Sequence, residues 1–171
     1  GWTDTPPYCN ENGGVVLNAA ITLKGEYPIQ VSLRKLDSPV VIFCSDDTEA
    51  YAEISDIEEI RRCKDPSDPV ALHKASFLAS GLIPLKGTKS LKEVLQELGG
   101  GIQLSTKVVN IPEGSGLGTS SILSIACIKG IFELLGEKKE NCELYETVLR
   151  MEQLMSTGGG WQDQVGGLTP G

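Results

Sequence analysis

Apolar and polar positions alternate most cleanly at "IQVSLRKL" (29–36). Ile29, Val31 and Leu33 fall on one face, and Gln30, Ser32 and Arg34 on the other. That two-residue period predicts a half-buried strand. "VVIFCS" (40–45) follows after Asp37-Ser38-Pro39, a linker short enough to predict a hairpin between the two. "IQLSTKVV" (102–109) alternates again and predicts a strand, and "GGVVLNAAITL" (13–23) predicts one entered through a glycine turn. Elsewhere the spacing turns helical. Within 69–83, Leu72, Ala75, Leu78, Ala79 and Leu82 share a side. Ser90 and Glu93 make a capping box for a short helix that ends at Gly99-Gly100-Gly101. "SILSIACIKGIFELL" (121–135) is a densely apolar helix stopped by Gly136, and "CELYETVLRMEQLM" (142–155) is another helix. Pro6 and Pro7 exclude a helix from the first seven residues. Residues 46–68 are acidic and irregular, and no element is predicted there. Strands mixed with helices give an α+β class, and 171 residues suffice for one core.

Composition narrows the function. The net charge of −8 argues against a nucleic-acid surface or an anionic membrane. An anionic ligand would have to be held by backbone amides, a metal ion or a few local cations. The five cysteines (9, 44, 63, 127 and 142) are odd in number and irregularly spaced, which fits reduced thiols in a cytosolic protein. No apolar run is long enough to span a bilayer. His73 sits among helix formers and is expected to be structural or on the surface.

The chemistry concentrates at "PEGSGLGTSS" (112–121), between a strand and a helix. Glycines there allow positive φ and a close approach to the backbone. The free amides of the helix N-terminus favour negative charge. Together they can cradle phosphate; the plain alternative is a glycine turn that only connects two elements. A Walker loop is excluded, because Gly118 is followed by Thr119 and not lysine. A dinucleotide fingerprint is excluded, because position 119 is not glycine.

Helical phase singles out Glu152. Taking Leu144 as origin, Val148 and Met155 lie within about 40°, and Glu152 lies at about 80°, inside the apolar arc. A carboxylate there needs a partner. A divalent cation is one candidate and a backbone amide is the other. Then comes "TGGGWQDQVGG" (157–167), read as a glycine loop. Asp163 on it is either a proton acceptor beside a phosphate site or a turn or cap residue.

Pro112, Gly116, Leu117, Gly118 and Ser120 satisfy the pattern Pro-x-x-x-Gly-Leu-Gly/Ser-Ser-Ser, and the chain resembles the GHMP kinases at this motif, with Thr119 replacing the usual serine. "GWTDTPPY" (1–8) and "EQLMSTGGGWQDQVGGLTPG" (152–171) resemble the L-fucose kinases of that superfamily. The resemblance implies that Gly114, Ser115, Gly116, Leu117 and Gly118, after Pro112, wrap the phosphates of ATP. It implies Mg²⁺ held by Ser120, with Thr119 beside it, and by Glu152. Asp163 would be general base or orienter for the anomeric hydroxyl. Asp4 would hydrogen-bond sugar hydroxyls, with Trp2 and Trp161 as candidate sugar walls. The implied reaction makes L-fucose 1-phosphate, in GDP-fucose salvage. Residues 1–171 would then be most of an N-terminal lobe resembling ribosomal S5 domain 2, truncated at both ends and lacking the C-terminal lobe, and inactive alone. A heptose kinase of the same superfamily and a non-catalytic sugar or nucleotide sensor are the competing readings.

Overall fold

The alternating stretch at 29–36 is strand β1 (Ile29–Leu36) in the computed structural model, which describes residues 3–19, 22, 24–112, 115–155 and 159–169. The next strands are β2 (Val41–Ser45), β3 (Ala50–Ile54) and β4 (Gly101–Val108). The helices are α1 (Tyr8–Asn12), α2 (Ile57–Arg61), α3 (Ala71–Ala79), α4 (Leu91–Glu97), α5 (Thr119–Leu134), α6 (Asn141–Leu154) and α7 (Gln162–Leu168). The α+β class is as expected.

The predicted β1–β2 hairpin does not form. Sheet order is β1-β4-β2-β3, so β4 lies between the two strands, antiparallel to β1 and parallel to β2. The linker 37–40 steps across the start of β4, where the Ile102 amide donates to the Val40 carbonyl at 3.1 Å. Gly101 makes the crossing feasible, because a Cβ there would overlap the carbonyl oxygens of Ser38 and Val40. The strand pattern is local and was readable; the pairing, such as Val41 with Ile102, joins distant parts of the chain and was not. β3 and α2 occupy the acidic stretch for which no element was predicted.

A second correction concerns 13–23. Residues 13–19 are irregular, and Val15 and Leu17 are 88% and 99% exposed. Their apolar alternation is strand-like, but no described strand pairs with them. The segment is tied down by side-chain bonds instead: Thr3 Oγ1 donates to the Val15 carbonyl at 2.8 Å and accepts the Val15 amide at 3.3 Å, and Asn18 Nδ2 donates to the Gln162 carbonyl at 3.3 Å. Residues 20, 21 and 23 lie outside the described residues.

One face of the sheet carries the core. Val41, Phe43, Ile54, Ile102 and Leu104 are fully buried there, under α3 and α5, with α6 packed against those two helices. Phe43 meets Phe77 of α3 edge-on, with ring centroids 4.9 Å apart; each such buried side chain contributes about 1.5–3 kcal/mol. Helix α5 comes down close on β1 because position 130 is glycine, where a Cβ would sit 2.6 Å from Leu33 Cδ1. The capping box at Ser90 and Glu93 is present and starts α4. This packing fixes the N-terminus of α5 at one end of the sheet, above the ends of β2 and β4.

Candidate active site

The glycine motif ends in a left-handed turn that launches α5. Gly116 and Gly118 have φ of +72° and +67°, and the Ile122 amide donates to the Gly118 carbonyl at 3.0 Å. Gly118 occupies the N-cap position with no side-chain cap, so the next three amides have no acceptor within the helix. They face a cleft of about 630 Å³. Pro112, Ser115, Gly116, Leu117, Gly118, Thr119, Ser120 and Asp163 line it on one side, and Ser45, Asp47, Thr48, Pro69, Leu72 and His73 on the other. Gly114 and Trp2 lie outside the described residues.

No lysine or arginine is among the described lining residues. Nor does His73 add positive charge. Burial pushes its imidazole down to about 4, against the pull of its bond to the Cys44 carbonyl. Nε2 lies 3.2 Å from that carbonyl oxygen and 3.0 Å from Thr106 Oγ1. A carbonyl accepts only, so Nε2 carries a proton, and the lowered value leaves the ring neutral near pH 7. His73 is therefore structural, as one of the two expectations had it, and forms part of the cleft floor. A polyanion in this cleft would meet backbone amides, hydroxyls and two carboxylates, those of Asp47 and Asp163.

Behind the glycine turn, Glu152 is buried, as its helical phase required. Ser121 Oγ donates to Glu152 Oε1 at 2.7 Å. Burial raises the Glu152 carboxyl above its ordinary value; Asp163 pushes it the same way, while the Ser121 bond pulls it back. Gly159 leaves room for it, since a Cβ there would come within 2.9 Å of Oε2. Ser120 is exposed on the cleft, and Ser121 is the hydroxyl in contact with Glu152. Sequence reasoning passed over Ser121, although it closes the Thr-Ser-Ser run that drew attention to the motif. Ser45, Asp47 and Thr48 were also missed. Ser45 ends β2, and Asp47 and Thr48 follow it into the stretch that gave no local signal.

Asp163 is not on a loop, as 157–167 was read, but in the first turn of α7. Its carboxylate rests against the glycine turn: a Cβ built on Gly118 would lie 2.7 Å from Cγ and from Oδ1. Gly118→Ala therefore carries two penalties, a left-handed backbone and a displaced Asp163. It is expected to cost about 1–2 kcal/mol of stability. It is also expected to lower kcat of the complete protein by about tenfold. Urea unfolding and steady-state kinetics check the two effects separately.

Asp4 is fully buried. Its Oδ2 accepts the Gln162 amide at 3.1 Å, and its Oδ1 has no hydrogen-bond partner among the described residues. One carboxylate oxygen is thus committed to the protein. Trp161, half-buried, holds the N-cap position of α7 beside it. Among the described residues no three His, Cys, Asp or Glu side chains cluster as a ready metal site. All five cysteines are free thiols, and among the described residues no helix is long and apolar enough to cross a membrane.

Residues 86–169 match the model of the GHMP kinases N terminal domain. The chain is 39% identical over 174 residues to L-fucokinase/L-fucose-1-P guanylyltransferase of Bacteroides fragilis, across 100% of this chain and 18% of that protein. It is 40% identical over 171 residues to bifunctional fucokinase/GDP-fucose pyrophosphorylase of Arabidopsis thaliana, across 100% of this chain and 15% of that protein. The chain thus spans less than a fifth of the length of these relatives. In fold it is similar to a D-glycero-D-manno-heptose 1-phosphate kinase from Bacteroides thetaiotaomicron. The TM-score is 0.61 at 17% identity, over 96% of this chain and 47% of that one. The glycine turn, the buried glutamate and the adjoining aspartate all fall inside the segment 86–169 that matches the N-terminal domain of the GHMP kinases.

Proposed function

We propose that this chain is the phosphate-binding lobe of a cytoplasmic, ATP-dependent L-fucose kinase, one that makes L-fucose 1-phosphate and ADP. The observation that carries the reading is the meeting of Gly118, Asp163 and the Ser121–Glu152 pair at the N-terminus of α5. Amides from the glycine turn and first helical turn hold the phosphates of ATP. Asp163 takes the proton of the anomeric hydroxyl, whose oxygen then attacks the γ-phosphorus as ADP leaves. The unpartnered Oδ1 of Asp4 is an acceptor left for a sugar hydroxyl, and Trp161 offers a ring for the sugar face.

The donor set suits Mg²⁺. The cleft lining has no lysine or arginine among its described residues to offset a triphosphate, and a carboxylate with neighbouring hydroxyls is a hard-oxygen set. Ser120 and Glu152 would hold the ion, with Ser121 orienting the carboxylate. Bound there, it neutralises phosphate charge.

The sugar is assigned from the fucokinase relatives, and the heptose kinase is the competing reading from fold. The complete protein should transfer phosphate from ATP to L-fucose with a kcat/KM at least about a hundredfold above that for D-glycero-D-manno-heptose. Preference for the heptose would overturn the substrate. Absence of transfer to either, with nucleotide still bound, would favour a sensor.

A further inference from the structure

We infer that Asp4 is a positioning residue for Asp163: it caps α7 from the far end of the chain and so sets where the base stands. The inference rests on the reading of Asp163 as proton acceptor. Helix α7 has seven residues, too few to hold its own shape without tertiary support. Its N-cap residue, Trp161, gives no side-chain cap. The cap comes from Asp4, whose Oδ2 accepts the Gln162 amide at 3.1 Å across 158 positions of sequence. A carboxylate there also suits the positive end of the helix. Asp163 is the residue that follows Gln162, so whatever moves this amide moves the base against Gly118.

The contact is built for Asp4 alone. At Gly160 a Cβ would overlap both Cγ and Oδ2 of Asp4, and Gly160 is not in the left-handed region. Its lack of a side chain therefore serves the approach of Asp4 and not the backbone. The carboxylate is fully buried, and its second oxygen has no partner among the described residues. With the sugar hydroxyl proposed for Oδ1, one carboxylate would join the substrate to the base: a bound sugar orders Asp4, and Asp4 orders α7.

Amide exchange at Gln162 and steady-state kinetics on the complete protein test this. Asp4→Ala and Gly160→Ala should each speed exchange of the Gln162 amide by about tenfold and lower kcat by about tenfold. Asp4→Asn can still accept that amide, so it should keep the slow exchange and recover most of kcat, while KM for L-fucose rises. A residue that only binds sugar would raise KM alike in Asp4→Ala and Asp4→Asn and leave kcat and the amide untouched, which overturns the inference. An unchanged Gln162 amide in Gly160→Ala overturns it even if Asp4→Ala does not fold. A faster amide with normal kcat overturns the positioning role. Should Asp163→Asn itself prove nearly fully active, the base assignment falls while the cap, read from exchange, stands.

Discussion

Asp163→Asn in the complete protein should lower kcat by about two to four orders of magnitude, with KM for ATP changed less than about threefold. The amide keeps the shape and the place in α7 but cannot take a proton. The geometry explains the split between constants. Asp163 touches Gly118 by its carboxylate, at the edge of the cradle, while the amides that would grip the phosphates belong to other residues. Nucleotide affinity therefore stays. What is lost is the acceptor for the hydroxyl proton in the transition state, which appears in kcat and kcat/KM together. Asp163→Glu is a useful companion. It restores the acceptor but needs room at Gly118, where a Cβ would already stand 2.7 Å from Oδ1. It should recover only a small part of kcat. Near-normal turnover by Asp163→Asn would remove this residue from proton transfer.

The parts of this molecule that sequence made legible are those fixed by short-range periodicity. β1, β4, α5 and α6 were all marked by patterns that one element carries by itself, and the Glu152 phase survived into a buried side chain. What failed depended on partners. The hairpin failed because β4 separates β1 from β2, a matter of register among strands far apart in the chain. The strand at 13–23 failed because alternation describes a face and not its neighbour. Helix α7 was hidden by its glycines: Gly166 and Gly167 weaken helix propensity, yet a Cβ at Gly166 would strike Asn18, and one at Gly167 would press on Ile122 and Ile125. Close packing required what local propensity argued against. The same holds for the site. Glycine loop, Glu152 and Asp163 could each be picked out alone, but that Ser121 reaches Glu152 and that Asp4 reaches α7 are tertiary facts.

Glu152→Gln should raise the Mg²⁺ concentration for half-maximal activity by about tenfold or more, and in the metal-free protein it should raise Tm. Both effects come from the same burial. The Glu152 carboxyl is raised above its ordinary 4.5, first because it is desolvated. A raised value means that folding favours the neutral form. Its contribution to stability is fully present below 4.5 and is lost as pH rises through the raised folded value. Above its raised value, and without a cation, the ionised Glu152 is therefore a buried charge in an unfavourable place. Glutamine removes that charge and can still accept from Ser121 Oγ. The Tm advantage of Glu152→Gln should shrink as pH falls through the raised folded value and vanish well below 4.5, where the wild-type carboxyl is neutral in both states. Added Mg²⁺ should reverse the order at neutral pH, since a cation stabilises the ionised carboxylate and has less to gain from an amide. Acid should also weaken the wild-type response to Mg²⁺, because binding must displace the proton, while the variant shows no such pH dependence. Calorimetry with and without Mg²⁺, across pH, reads the stability arm; a Mg²⁺ titration of kcat at saturating ATP reads the other. Identical titrations for the two proteins would take the ion away from Glu152, and an unchanged metal-free Tm at neutral pH would mean that its charge is already neutralised by the protein itself.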